Sequence, residues 1–257
     1  MLLNRYVDLR CPGARTSGIA RTRLIDDCLT ASLQNGFSQV VILGAGFDSR
    51  AHRISGGKPV RFFEVDHRDT LHFKRTRLQT IPGSCNSGIR YIEIDFNTQT
   101  LNEGLTGAGF DPVQRTFFIW EGVTNYLAPE AVAATLQFIG SVAHRSQLIF
   151  TYVHRDFFRT PHLFPGALRL KRDLERLGEP WTFGLDPAEI PLLLRRYGLC
   201  VLKDLGSIEY RTGYLEKTRR TLWGYEFYRA ALAEVNPIWN ENEKSGTTQK
   251  KEVTSNA

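Results

Sequence analysis

The stretch "VVILGAGFDSRAHRI", Val40 to Ile54, constrains the fold more than any other part of the chain. Its unbroken apolar run, Val40 to Leu43, reads as a strand buried on both faces, the pattern of a parallel sheet covered by helices. Gly44 and Gly46 carry no Cβ, so the backbone can turn tightly there and come close to a ligand. A strand that breaks into a glycine turn and then opens a helix belongs at the carboxyl edge of an open α/β sheet, where such folds bind ligands. The turn almost spells the dinucleotide fingerprint GxGxxG, but Ser49 stands at the third glycine. A side chain at position 44 is expected to enter the space the ligand needs.

Other segments extend the sheet. Strands are predicted at 39–44, 61–66, 90–95, 116–122 and 147–153, with helices at 67–80 and 98–106 and another opening at Pro129. Ser17 is expected to cap a preceding helix whose Ile25, Cys28, Leu29 and Leu33 recur at helical spacing, with Gly36 as its terminator. This alternation predicts an α/β, mostly parallel, doubly wound sheet. Residues 154–186, rich in Phe, Pro, Arg and His without a clear period, read as a cap-like insertion over a site. A helix (187–198) and a strand (199–206) follow, and 221–235 reads as either strand or helix. The expectation is one domain over 1–235 and a disordered polar tail over 236–257.

Composition narrows the partners. No apolar run approaches bilayer length, and "MLLNRYVDLRCPGAR" lacks the apolar centre of a secretory signal, so a cytoplasmic location away from membranes is expected. The four cysteines are scattered without a CxxC pair, which suggests neither a disulfide framework nor a zinc site. A net charge of +6 permits nucleic acid, but the basic residues are spread out or interleaved with acids, as on solvated faces rather than a phosphate track. No histidine pair has metal-site spacing; His154 and His162, at the start of the insertion, are the best placed to enter a pocket.

Acids at the strand ends bear on which ligand the turn takes. Glu64 and Asp66 end the second strand about twenty residues after the turn, where a carboxylate can hold a ribose. Asp95 ends the third strand and Glu121 the fourth. Converging carboxylates would repel a pyrophosphate and attract the sulfonium and ammonium of S-adenosylmethionine, which favours that methyl donor over NAD. Plainer roles stand beside these. Asp66 and Asp95 could cap helices, Asp48 and Arg50 could pair with each other, Glu64 could face a basic residue on the far side of the strand, Arg21 could lie on the surface, and Tyr126 could be core or pocket wall.

"GIARTRLIDD", "QVVILGAGFDSRAHRI", "FFEVDH", "IEIDF" and "FIWEGVTNYLAPEAV", in this order and at these intervals, resemble the leucine carboxyl methyltransferase family of S-adenosylmethionine-dependent O-methyltransferases. The likeness spans residues 17–153 and implies the Rossmann-like methyltransferase sheet with one reversed strand near the C-terminus. It also implies that Arg21 pairs with the methionine carboxylate, that Gly44 and Gly46 pack against the methionine part, and that Asp66 holds the ribose. Asp95 and Phe96 would flank the adenine, and Glu121 would face the ammonium or the transfer pocket. The candidates for a catalytic role are Glu121, Tyr126 and His154. The implied acceptor is a carboxylate, or a hydroxyl, of a small molecule or a protein C-terminus. The early glycine turn leaves little chain for the N-terminal part of a substrate lid. An NAD-dependent oxidoreductase and a non-catalytic donor-binding scaffold are the alternatives.

Overall fold

The computed structural model describes residues 11–54, 59–81, 88–96, 98–215 and 223–236. The expected disordered tail lies outside these residues except for Asn236. Along the chain, helix α1 (Ala14–Gln34) precedes β1 (Gln39–Leu43), the one-turn α2 (Arg50–Arg53), β2 (Arg61–Asp66), α3 (Arg68–Gln79) and β3 (Ile89–Glu93). Then come α4 (Leu101–Gly107), β4 (Thr116–Trp120), α5 (Pro129–Gly140) and β5 (Gln147–Val153). The insertion holds α6 (Asp156–Arg159) and α7 (Ala167–Arg176), and α8 (Ile190–Arg195), β6 (Leu199–Gly206), α9 (Ser207–Leu215) and β7 (Tyr228–Val235) complete the fold.

The seven strands form one sheet in the order β3-β2-β1-β4-β5-β7-β6. The pairs among β1 to β5 are parallel, and β7 runs antiparallel to both of its neighbours, so it alone is reversed. Strand alternation explains the two cores. Val41, Leu43, Phe118 and Trp120 join α5's Leu136 and Ile139 on one face. Val40, Ile42, Phe117 and Ile119 join α1's Ile25 and Leu29 on the other. Strand order reverses between β1 and β4, and the crevice at such a switch point is the usual ligand position in open α/β sheets.

Several local expectations shift. Helix α1 begins at Ala14, after Gly13 in the left-handed region, so Ser17 does not cap it. Ser17 is fully buried, and its hydroxyl meets the Tyr210 hydroxyl at 2.6 Å, a contact between α1 and α9 that a local capping rule cannot foresee. The third strand ends at Glu93 and the fourth at Trp120, which leaves Asp95 and Glu121 in the loops beyond them. The ambiguous 221–235 segment carries β7. The insertion, which has no clear sequence period, contains α7, and α9 follows β6 without any expectation. Gly36 terminates α1 as expected, with φ +85°.

A buried ion pair joins β2 to α3: Lys74 Nζ lies 2.6 Å from Glu64 Oε2, with the side chains 4% and 0% exposed. Burial pushes the Glu64 carboxyl above its ordinary pKa, and Lys74 offsets only part of that. Lys74 also donates to the Asp48 carbonyl at 2.7 Å, so the pair braces the loop after the glycine turn. Lys74→Met is expected to cost roughly 3–5 kcal/mol by leaving a buried carboxyl unpaired. The double variant Glu64→Gln/Lys74→Met should recover part of that loss in urea unfolding at neutral pH.

Candidate active site

The glycine turn is held from behind. Gly44 and Gly46 have φ of +64° and +44°, conformations that glycine enters freely. The Gly46 amide donates to Asp66 Oδ2 at 2.6 Å and the His67 amide to Asp66 Oδ1 at 2.6 Å, so one carboxylate ties the turn to the end of β2. Asp66 is therefore not the side-chain cap of α3; His67 accepts the Asp69 amide there. The expected obstruction at position 44 takes a different form. A Cβ on Gly44 would lie 2.2 Å from Val123 Cγ2, so glycine is required there first by packing against the loop after β4. At Gly46 the nearest contact would be 3.9 Å away, which leaves that side open.

Five charged side chains meet beside the turn. Arg50, 3% exposed, donates from Nε to Asp26 of α1 at 2.8 Å and from Nη1 to Asp48 at 2.5 Å and Glu121 at 2.9 Å. Arg21 of α1 donates from Nε to the other Glu121 oxygen at 2.6 Å. Its terminal nitrogens make no hydrogen bond among the described residues. The Arg21 guanidinium also sits over the Tyr228 ring, 4.8 Å from the centroid. Burial would raise the pKa of the Glu121 carboxyl, but Arg21 and Arg50 together hold it below its ordinary range.

Arg21, Gly44, Gly46 and Glu121 line one cleft of about 410 Å³, within the range of small-molecule sites. Asp66 stands behind its floor. Asp95 and Phe96 lie past β3 at the same sheet edge but outside this lining, with Phe96 packed on the core. Tyr126 is 43% exposed and packs edge-to-face on Trp181 of the insertion at 6.5 Å. His154 lies outside the cleft; its Nδ1 accepts the Asp156 amide at 3.1 Å and its ring faces Phe164. His162 is exposed on a short turn of the insertion. Glu64 pairs with the basic residue Lys74, but on the face of β2 that it shares with Phe62 and Asp66 rather than on the opposite one, and Lys74 also reaches the Asp48 carbonyl of the turn. A larger groove of about 670 Å³ runs between α5 and α8, but it holds neither the glycine turn nor the converging polar groups, so the smaller cleft is the candidate site.

The leucine carboxyl methyltransferase family model matches residues 6–140, more than half of the chain. The chain belongs to this family. A Frankia alni relative, named as a candidate S-adenosyl-L-methionine-dependent methyltransferase, is 32% identical over 183 residues, covering 69% of this chain and 64% of that protein. A Mycolicibacterium gilvum relative named in the same way is 35% identical over 124 residues, covering 48% and 40%. The chain thus spans less than two thirds of the length of these curated relatives. Among solved structures, a candidate methyltransferase from Thermobifida fusca superposes with a TM-score of 0.66 at 19% identity, over 91% of this chain and 87% of that one. Magnesium protoporphyrin IX methyltransferase from Synechocystis, solved with bound SAH, gives 0.55 at 12% identity, over 86% and 84%. These two likenesses are of fold, and they include the methyltransferase sheet with its reversed strand near the C-terminus.

Sequence reasoning missed Asp26 and Tyr228 and saw Arg50 only as a partner for Asp48. The basic residue directly after the turn motif was a usable signal for Arg50. For Tyr228 there was none, since it lies on the last strand. No helix among the described residues is long and apolar enough to cross a membrane. No His, Cys, Asp and Glu cluster among them could hold a metal ion.

Two outcomes test this geometry. Gly44→Ala should lower stability by about 1–3 kcal/mol through overpacking on Val123 and a left-handed backbone, measured by urea unfolding. Because its folded pKa is depressed, Glu121 adds stability that is complete above its ordinary value of 4.5 and is lost as pH falls through the lowered value. Unfolding free energy measured from pH 7 to 3 should therefore fall less steeply in Glu121→Gln below pH 4.5. At neutral pH that variant should be less stable by about 1–3 kcal/mol.

Proposed function

We propose that the protein is an S-adenosylmethionine-dependent methyltransferase acting on an oxygen, with a carboxylate as its acceptor. The observation that carries this reading is the Arg21–Glu121 pair at the cleft, which offers one group of each sign to a ligand with an amino acid end. Arg21 has its terminal nitrogens available to donate to a carboxylate, and Glu121 can accept from an ammonium. A pyrophosphate would instead meet Glu121 as a like charge. Family membership and the names of the relatives support the same reading.

When bound, S-adenosylmethionine supplies an already activated methyl group on its sulfonium. The chain's own task is then orientation and exclusion of water. Gly46 allows close approach of the ligand, and Asp66, Asp95 and Phe96, placed along the same sheet edge, are assigned to the ribose and adenine. Glu121 is a poor general base because two guanidiniums hold it ionised, and the His154 Nδ1 is occupied by the Asp156 amide. This favours an acceptor that needs no base, and a carboxylate is already ionised at neutral pH. The acceptor is a small molecule or a protein C-terminus, and Tyr126 is assigned to its pocket wall.

Calorimetry should show binding of S-adenosylhomocysteine and none of NAD; NAD binding alone would overturn the reading. Incubation of tritiated donor with extract fractions should give base-labile label, the mark of a methyl ester, whereas donor binding without transfer would indicate a scaffold. Arg21→Lys should weaken S-adenosylhomocysteine by about 1.5–3 kcal/mol, since a Lys ammonium cannot reproduce the guanidinium fork. It should leave 5′-methylthioadenosine, which lacks the amino acid end, nearly unchanged. Equal losses for both ligands would mean that Arg21 acts through folding.

A further inference from the structure

We propose that Tyr228, the first residue of β7, is a positioning residue that holds Arg21 for a ligand carboxylate, so that the reversed strand helps set selectivity for a ligand with an amino acid end. This rests on the reading of the cleft as the donor site. Tyr228 is 3% exposed, and both its ring and its hydroxyl are engaged. The ring carries the Arg21 guanidinium at 4.8 Å. It is backed by Tyr225, stacked at 5.5 Å, and by Trp181 of the insertion at 6.0 Å. The hydroxyl lies 3.2 Å from Thr151 Oγ1, which also accepts the Gly122 amide at 2.8 Å. Tyr228 therefore reaches both members of the cleft's charged pair: Arg21 through its ring, and the peptide next to Glu121 through Thr151.

The contact matters because of what it leaves available. A guanidinium whose Nε is taken by Glu121 could still swing about that single bond. An aromatic face beneath it fixes the plane, and the terminal nitrogens, with no partner among the described residues, are then presented as a fork. An aliphatic side chain of similar bulk would fill the same core space without offering a π face. Three outlying segments converge here. Helix α1 brings Arg21, β7 brings Tyr228, and the insertion brings Trp181, so the amino acid end of the cleft is completed outside the glycine-turn motif.

The test compares Tyr228→Phe and Tyr228→Leu by calorimetry with S-adenosylhomocysteine and 5′-methylthioadenosine, with thermal unfolding of each variant alongside. Phe keeps the ring and should hold S-adenosylhomocysteine affinity within about threefold, whereas Leu should weaken it by about tenfold. Both variants should bind 5′-methylthioadenosine within about twofold of wild type. Leu weakening both ligands equally, Leu weakening neither, or Phe failing to rescue would each overturn the inference while the donor site stands. A wild type that binds neither ligand would overturn the donor-site reading and this inference with it.

Discussion

The Arg50 guanidinium is the point on which the site depends. It is almost fully buried, and a lone cation in that position would carry a large desolvation cost. Three carboxylates from separate parts of the chain surround it: Asp26 from α1, Asp48 from the turn and Glu121 from the loop after β4. Arg50 is fixed in turn by its own amide donating to Asp48 Oδ1 at 2.7 Å. The consequence is mechanical. Helix α1 is drawn against the turn by Asp26, which Arg53 also grips, and Arg21 on the same helix is carried to Glu121. Without that clasp, nothing in the glycine turn itself would bring Arg21 to the cleft.

The clasp also changes the electrostatic character of the site. Strand-end acids alone describe a negative rim, but in the folded chain none of the nearest ones acts as a bare charge. Glu64 is neutralised by Lys74, Asp66 is engaged by two amides, and Glu121 lies between two guanidiniums. The cleft therefore offers paired charges more than a negative field. Paired charges discriminate by geometry, since a ligand gains only if it presents both signs at the right spacing. A zwitterionic amino acid group meets that condition, and a cation or an anion alone meets half of it.

Much of this was legible in the sequence because it is local or periodic. The strands 39–43, 61–66 and 116–120 stand out by their apolar, β-branched and aromatic residues, and their ends place Gly44, Asp66 and the loop after β4 at one edge. What was not legible depends on pairings across long separations. Ser17 has every local mark of a cap, yet its hydroxyl serves Tyr210, 193 positions away. Helix α7 was overlooked although Ala167, Leu170 and Leu174 recur at helical spacing, because the aromatic, proline-rich residues around it set the reading of the whole insertion as irregular. Helix α9 carries a fully buried Arg211, satisfied by carbonyls and hydroxyls such as Gly224 O and Ser207 Oγ, and an arginine in a short segment reads as surface.

The loop after β4 shows why the two sides of the site are not independent. Glu121 and Gly122 face the cleft. Val123 closes on Gly44 so tightly that even a methyl group there would collide with it. Thr124 anchors to the Thr151 carbonyl at 2.7 Å, and the Asn125 carbonyl accepts the amides of Thr182 and Phe183 from the insertion. One five-residue stretch therefore touches the turn, the sheet and the insertion in succession. Packed interiors transmit displacement because they have little free volume in which to absorb it. Residues 182–183 are thereby joined through Asn125 to the stretch that carries Val123 against Gly44 and Glu121 into the cleft. The position of the insertion is in this way linked to the shape of the glycine-turn cleft.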